Sequence, residues 1–275
     1  MHGICTFSIL PLRAAPSHKS EMVSQLLFGE TYDVLEEPDN DWLRVVTSFD
    51  RYEAWLTRQH HTPLSLDEYL SLQDTFPICS LPDCAQLGDA AGEHLFKIMA
   101  GSSLPHFESH YCRIGDKKYT YRGGICQNDK HSKQQLIVNY AQRYLYAPYM
   151  WGGRSSFGVD CSGLSQMAYK MSGLALPRDA YQQAAEGTRV ESLSEAQAGD
   201  LAFFKSVNRQ DTHVTHVGIL LSPQKIIHAA AMVDIDKIDD TGIINSHTGK
   251  YSHHLLGIKR YVCVADFHGS DNADS

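Results

Sequence analysis

The sequence predicts two small all-β barrels followed by an α+β domain, in a chain of 275 residues. Three observations carry that prediction. As far as about residue 127, apolar runs of about five residues alternate with turn residues, the rhythm of short antiparallel strands. At Asn128-Asp129 that rhythm gives way to helical spacing, and from there helices precede strands. Between the first two helices runs Tyr149-Met-Trp-Gly-Gly-Arg-Ser-Ser-Phe-Gly-Val-Asp-Cys-Ser-Gly-Leu164, a glycine-rich loop that delivers Cys161 to a helix start.

Residues 1–61 form the first barrel. Strands are expected over 8–13, 22–27, 31–35, 42–47 and 52–56, separated by the turns at 28–30, 36–41 and 48–51. Residues 62–74 are a linker helix, with Ser65 as N-cap and Glu68 completing a capping box. Residues 75–128 repeat the barrel theme in divergent form, with strands over 96–99, 111–114 and 118–122. Residues 129–265 are the α+β domain. Its first helix, over 132–146, places Leu136, Ile137, Tyr140, Ala141 and Tyr144 on one face, with Ser132 as N-cap and Pro148 as the stop. A second helix runs from Cys161 to about Gly173 and a third over 177–186. Strands follow over 199–204, 216–221, 225–230 and 256–262. The polar tail, 266–275, reads as disordered.

Composition excludes several classes of function. At 43% hydrophobic and 20% charged residues the chain is ordinary and globular. It has no apolar run long enough for a membrane span. Net charge is −4 over residues 1–61 and again over 62–129, +3 over 130–265 and −3 over the last ten. No basic stripe argues for nucleic acid. The seven cysteines include no CxxC and the fifteen histidines no HExxH, so neither a metal nor a cofactor is expected. His60-His61 and His253-His254 read as surface pairs, because neighbours on a strand or helix point apart. The first thirteen residues lack a basic n-region and long apolar stretch, which predicts a cytoplasmic protein; a leader removed beforehand would point to the periplasm or cell envelope.

The chemistry centres on Cys161. At a helix N-terminus the dipole favours thiolate, the nucleophilic form. Alone, such a cysteine is equally well a buried structural residue. A nucleophilic cysteine needs a base and a third group that orients the base. His216 opens one apolar strand and His228 lies on the next, joined by the turn at 222–224, so both fall in one region of a sheet edge. Either histidine alone reads as core or surface; together with Asp160-Cys-Ser-Gly163 they read as a catalytic set.

Five motifs in order, Tyr149-Met-Trp-Gly-Gly153, Asp160-Cys-Ser-Gly163, Gly199-Asp-Leu201, His216-Val-Gly-Ile219 and His228-Ala229, resemble the NlpC/P60 cysteine peptidases. The resemblance spans about residues 130–262 and implies a papain-like catalytic domain with Cys161 as nucleophile, His216 as base and His228 as the orienting third member. Leu12-Arg13, Pro16, Leu27-Phe-Gly-Glu30, Val34, Trp42, Val45 and Glu53-Ala-Trp-Leu56 resemble a bacterial SH3 domain. Two such domains before the peptidase resemble the architecture of γ-D-glutamyl-L-diamino acid endopeptidases. That implies hydrolysis of the γ-D-Glu–diamino acid bond in murein stem peptides with a free N-terminal L-Ala. Tyr149, Asp160 and Ser162 match positions that bind the substrate's amino end, and Glu21 and Tyr52 are the candidates from the first barrel. Ala180 stands where the family often has serine, which implies a lost substrate-facing hydroxyl. An amidase or acyltransferase of the same fold, or a non-catalytic wall-binding protein, are the alternative readings.

Overall fold

The computed structural model describes residues 1–38, 41–73, 77–81, 85–89, 95–126, 132–207 and 212–261. The tail at 266–275 and the boundary at Asn128-Asp129 lie outside them. Seven strands build the N-terminal unit: β1 (His2–Ile4), β2 (Ile9–Arg13), β3 (Met22–Leu27), β4 (Thr31–Glu36), β5 (Trp42–Thr47), β6 (Glu53–Thr57) and β7 (Pro63–Leu64). They pair antiparallel in the order β3-β2-β6-β5-β4-β1-β7. Leu10, Leu12, Leu26, Leu43, Val45, Ala54 and Leu56 fill the interior. β1 and β7, too short for the alternation to register, extend the five predicted strands. The linker helix α1 (Leu66–Ser71) begins as predicted, with the Ser65 hydroxyl accepting the Glu68 N–H at 3.2 Å.

Where a second barrel was predicted, β8 (Ala85–Gly88), β9 (Phe96–Ile98), β10 (Tyr111–Ile114) and β11 (Lys117–Arg122) form a four-stranded antiparallel sheet, ordered β10-β11-β8-β9. Its core is shared: Leu87, Ile98, Leu104, Cys112 and Tyr121 pack with Ile4 and Phe28 of the N-terminal unit. A sheet that borrows apolar partners needs fewer of its own, which is why its pattern is weak in the sequence.

The C-terminal unit opens with α2 (Lys133–Gln142), capped by Ser132, whose hydroxyl accepts the Gln135 N–H at 3.3 Å. The helix ends before the predicted 146. The Tyr146 N–H donates to the Val233 carbonyl and the Val233 N–H to the Ala147 carbonyl, so strand pairing captures the chain ahead of Pro148. The hairpin β12 (Arg154–Ser155) and β13 (Gly158–Val159) leads into α3 (Cys161–Met171), buried along its whole length, and then α4 (Ala180–Ala185). The remaining strands are β14 (Thr188–Val190), β15 (Leu201–Ser206), β16 (His216–Ser222), β17 (Lys225–Ala229), β18 (Val233–Ile238), β19 (Gly242–Ile244) and β20 (Tyr251–Arg260). β20 pairs with both β15 and β19, so six strands close into a ring with β14 attached. The closure runs through β18 and β19, two strands absent from the four expected. Ala202, Phe204, Leu220, Ile226, Ile238, Ile243 and Ile258 fill the ring. Leu201, Phe203, Val217, Ile219 and Ile227 face outward and pack with Leu136, Ile137, Leu164, Met167 and Ala168 of α2 and α3. No helix among the described residues is long and apolar enough to cross a membrane.

A buried charge cluster pins the units together. Glu30, after β3, receives both terminal nitrogens of Arg154 at 2.8 and 2.9 Å and the Lys170 ammonium at 2.6 Å. Ser103, in the loop after β9, lies 3.4 Å from the same ammonium. Burial acts to raise the Glu30 carboxyl, but Arg154 and Lys170 pull it down to about 2. Removing one partner of such a cluster strands buried charge. Glu30→Gln should therefore lower unfolding stability by about 3–5 kcal/mol in urea denaturation at pH 7. A depressed carboxyl stabilises the fold above its unfolded value. The wild type should thus lose this stability as pH falls from 4.5 to about 2, and the variant should lack that limb.

Candidate active site

Asp160 is the N-cap of α3, and its carboxylate accepts the Gly163 N–H at 2.7 Å and the Gly152 N–H at 2.8 Å. Gly152 has φ +75°, and a Cβ there would meet the Met22 carbonyl oxygen of β3 at 2.4 Å, so only glycine lets the loop approach the N-terminal unit. Fully buried Arg178 grips the same carboxylate at 2.6 and 3.0 Å, donates to the Ser162 hydroxyl at 3.0 Å, and through Nε reaches the Ser24 hydroxyl of β3 at 3.2 Å. One acidic side chain thereby fixes the loop, the helix start and the junction with the N-terminal unit.

Cys161, the first residue of α3, is 7% exposed. Burial pushes its thiol up to about 12, reinforced by Asp160; a hydrogen bond from the Val217 N–H and the charge of Arg178 act the other way. The expectation of a thiolate from the helix dipole is thus overturned. A helix terminus contributes about 0.3–1 kcal/mol, less than the cost of desolvating the charge. The Val217 N–H belongs to the residue after His216, so the thiol meets the start of β16.

His216 and His228 lie diagonally across β16 and β17, since Gly218 stands opposite His228. A Cβ on Gly218 would crowd the Ile226 side chain at 2.7 Å and the His228 Cβ at 3.0 Å, so this glycine makes room for both neighbours on β17. His216 Nε2 is 2.8 Å from His228 Nδ1, and His228 Nε2 is 3.1 Å from the Asp236 carboxylate on β18. All three are buried. Phe204 stands opposite His216, and Ile226 opposite Asp236. The polar row therefore shares the face that fills the ring and occupies one end of its interior. Burial, with His253 and His228 adding to it, holds His216 well below the ordinary imidazole value.

Tyr149 is half-buried, and burial together with Cys161 and Asp160 raises its phenol, which places it beside the thiol. Ser162 and Asp160 are engaged with Arg178. Tyr52 reaches across from the N-terminal unit to hydrogen-bond Asp179, the residue before α4. Burial raises the Asp179 carboxyl, and the nearby charges of Asp160 and Asp50 act in the same direction. Asp50, Asp160 and Asp179 thus gather around one arginine. Glu21 is exposed just before β3, and its side chain has no hydrogen bond or ion pair to a described residue. Ala180 is buried at the start of α4.

Sequence reasoning missed Arg178, Asp179, Asp236 and His253. Contrary to the surface reading, His253 is partly buried and stacks on His216, with ring centroids 4.1 Å apart and planes 17° apart. Burial lowers it to about 4. Adjacent strand residues do point apart, but that sends one of them inward. His61 is likewise half-buried, 3.1 Å from the Tyr32 hydroxyl. No group of three or more His, Cys, Asp or Glu side chains arranged to hold a metal ion occurs among the described residues.

Residues 146–257 match the NlpC/P60 family and residues 12–60 the bacterial dipeptidyl-peptidase SH3 domain. Dipeptidyl-peptidase 6 of Lysinibacillus sphaericus is 25% identical over 270 residues, covering 87% of this chain and 93% of its own. The γ-D-glutamyl-L-lysine dipeptidyl-peptidase of Bacillus subtilis is 25% identical, over 82% of this chain and 74% of its own. The crystal structure of an NlpC/P60 family protein from Bacillus cereus superposes with a TM-score of 0.77 at 20% identity, over 95% of this chain and 99% of that one. The chain therefore carries an NlpC/P60 domain, of a peptidase family, behind a bacterial SH3 domain.

A buried thiol held near 12 fixes how Cys161 should react. Its alkylation by iodoacetamide, followed by peptide mass spectrometry, should rise about tenfold per pH unit between pH 7 and 9. A rate independent of pH over that range would reveal a preformed thiolate instead.

Proposed function

We propose that this NlpC/P60 protein is a cysteine peptidase that cuts the γ-D-Glu–diamino acid bond of murein stem peptides with a free N-terminal L-Ala, releasing L-Ala-γ-D-Glu. One observation carries the reading: the Cys161–His216–His228 region abuts a junction where Tyr52 and the carboxylates of Asp50, Asp160 and Asp179 gather around Arg178. A surplus of acid at a closed end suits a substrate ammonium. Tyr149 and Ser162 contribute hydroxyls there. Asp160 shares its charge with Arg178, so Asp179 is the carboxylate with charge to spare, and Tyr52 orients it. Glu21 belongs to the outer edge of this subsite. The N-terminal unit walls off the cleft beyond the ammonium, which limits release to a dipeptide. The four-stranded sheet is a divergent relative of the first SH3-like unit that backs this wall.

The proposed reaction needs no metal. His216 takes the thiol proton as Cys161 attacks the γ-carbonyl carbon of D-Glu, and the Cys161 backbone N–H at the helix terminus holds the oxyanion. The imidazolium returns the proton to the leaving amine, and water then hydrolyses the thioester. In the resting state both partners are neutral, so proton transfer accompanies attack.

Hydrolysis of L-Ala-γ-D-Glu-L-Lys should fall by at least about 100-fold when its amino group is acetylated, the loss of a charge-assisted hydrogen bond donated to a half-buried carboxylate. Equal rates on the two peptides would refute the subsite. Cys161→Ala should abolish turnover with the urea unfolding curve unchanged.

A further inference from the structure

We propose that Asp236 is a positioning residue: it sets the direction of protonation along the histidine pair and so leaves His216 Nδ1 as the bare nitrogen that serves as base. The inference rests on the reading of His216 as the base. Asp236 is 3% exposed, on the inner face of the strand ring. One carboxylate oxygen lies 3.1 Å from His228 Nε2; the other accepts the Ser246 N–H at 2.8 Å. Burial works to raise this carboxyl, yet these hydrogen bonds hold it below the usual range, so it is ionised at neutral pH. An ionised carboxylate only accepts.

The rest follows by conservation of protons along the row. His228 Nε2 must carry the hydrogen that faces Asp236. A singly protonated imidazole then has its lone pair on Nδ1. The atom 2.8 Å away is His216 Nε2, which must donate. The one proton of a neutral His216 is thereby fixed on Nε2, and Nδ1 is free to take the thiol proton. The stacked His253 ring holds the plane of His216 against rotation. When His216 is protonated at Nδ1, its Nε2–H still donates along the same row, so no other proton has to move.

Asparagine at 236 has nearly the same shape but one acceptor in place of two. The Ser246 N–H can only donate, so the amide oxygen turns to it and the amide NH₂ faces His228. His228 Nε2 becomes an acceptor, its Nδ1–H donates to His216 Nε2, and the His216 proton moves to Nδ1, where a base is needed.

Histidine ¹⁵N chemical shifts of the full-length protein read this without substrate. In the wild type, His228 should be protonated on Nε2 alone and resting His216 on Nε2. In Asp236→Asn both assignments should reverse. With L-Ala-γ-D-Glu-L-Lys as substrate, kcat should fall by about 100-fold or more while KM stays within a few-fold, as for loss of a general base. A wild-type His228 protonated on Nδ1, or on both nitrogens, overturns the proposal even if the variant does not fold. So does a folded variant that keeps the wild-type tautomers or full kcat. Reversed tautomers in a protein that cuts no stem peptide would support the row and count against the peptidase reading, so the two fail separately.

Discussion

The ion pair between Asp160 and Arg178 is the constraint on which the rest of the site depends. Asp160 caps α3, anchors Gly152 and is clamped by a guanidinium that also touches β3. Such a buried pair adds little net stability over an apolar replacement, because desolvation offsets the attraction. What it supplies is position. Its donors come from the loop, the start of α3 and Arg178, which is itself held by Ser24 of β3, so these segments can satisfy it together only in one arrangement. Cys161 follows directly in the chain, and its place against the Val217 N–H is inherited from that arrangement.

The same economy recurs away from the thiol. Glu30 answers two cations from the C-terminal unit, and Phe28 two residues earlier belongs to the core of the four-stranded sheet. The turn after β3 therefore holds all three units. In the strand ring the interior is apolar except at one end, where His216, His228 and Asp236 replace hydrocarbon. Low polarity around that row strengthens each hydrogen bond and penalises any unpaired member. The imidazole and thiol stay neutral at rest for the same reason: both are buried without a compensating charge at contact distance. A buried site of this kind is suited to a substrate that brings its own charge to an acidic junction.

Much of this was legible in the sequence. The capped starts of α1 and α2 were readable, because Ser65 and Ser132 act on backbone groups within three residues. The five longer N-terminal strands and the β16–β17 pair carrying both histidines were readable from apolar runs and turns. What failed depends on distant chain. Of the second barrel, the described residues show a four-stranded sheet with a borrowed core. α2 ended early because Val233 competes for its backbone. β18 was passed over because Asp234 and Asp236 look like loop residues until the ring closes around them. His253 was assigned to the surface because adjacency gives the direction of a side chain only relative to its neighbour. The thiol's protonation was misjudged because a dipole is visible in local sequence and burial is not.

The account's central claim is that the N-terminal unit and the Asp160–Arg178 pair together fix where a peptide's amino end lies relative to Cys161. The most direct measurement is a crystal structure of the Cys161→Ala protein with intact L-Ala-γ-D-Glu-L-Lys. The account predicts the γ-carbonyl over residue 161 and the L-Ala ammonium between Asp179 and Tyr52, with Arg178 still paired to Asp160. A peptide bound in the opposite direction, or an ammonium that displaces Arg178 from Asp160, would contradict it.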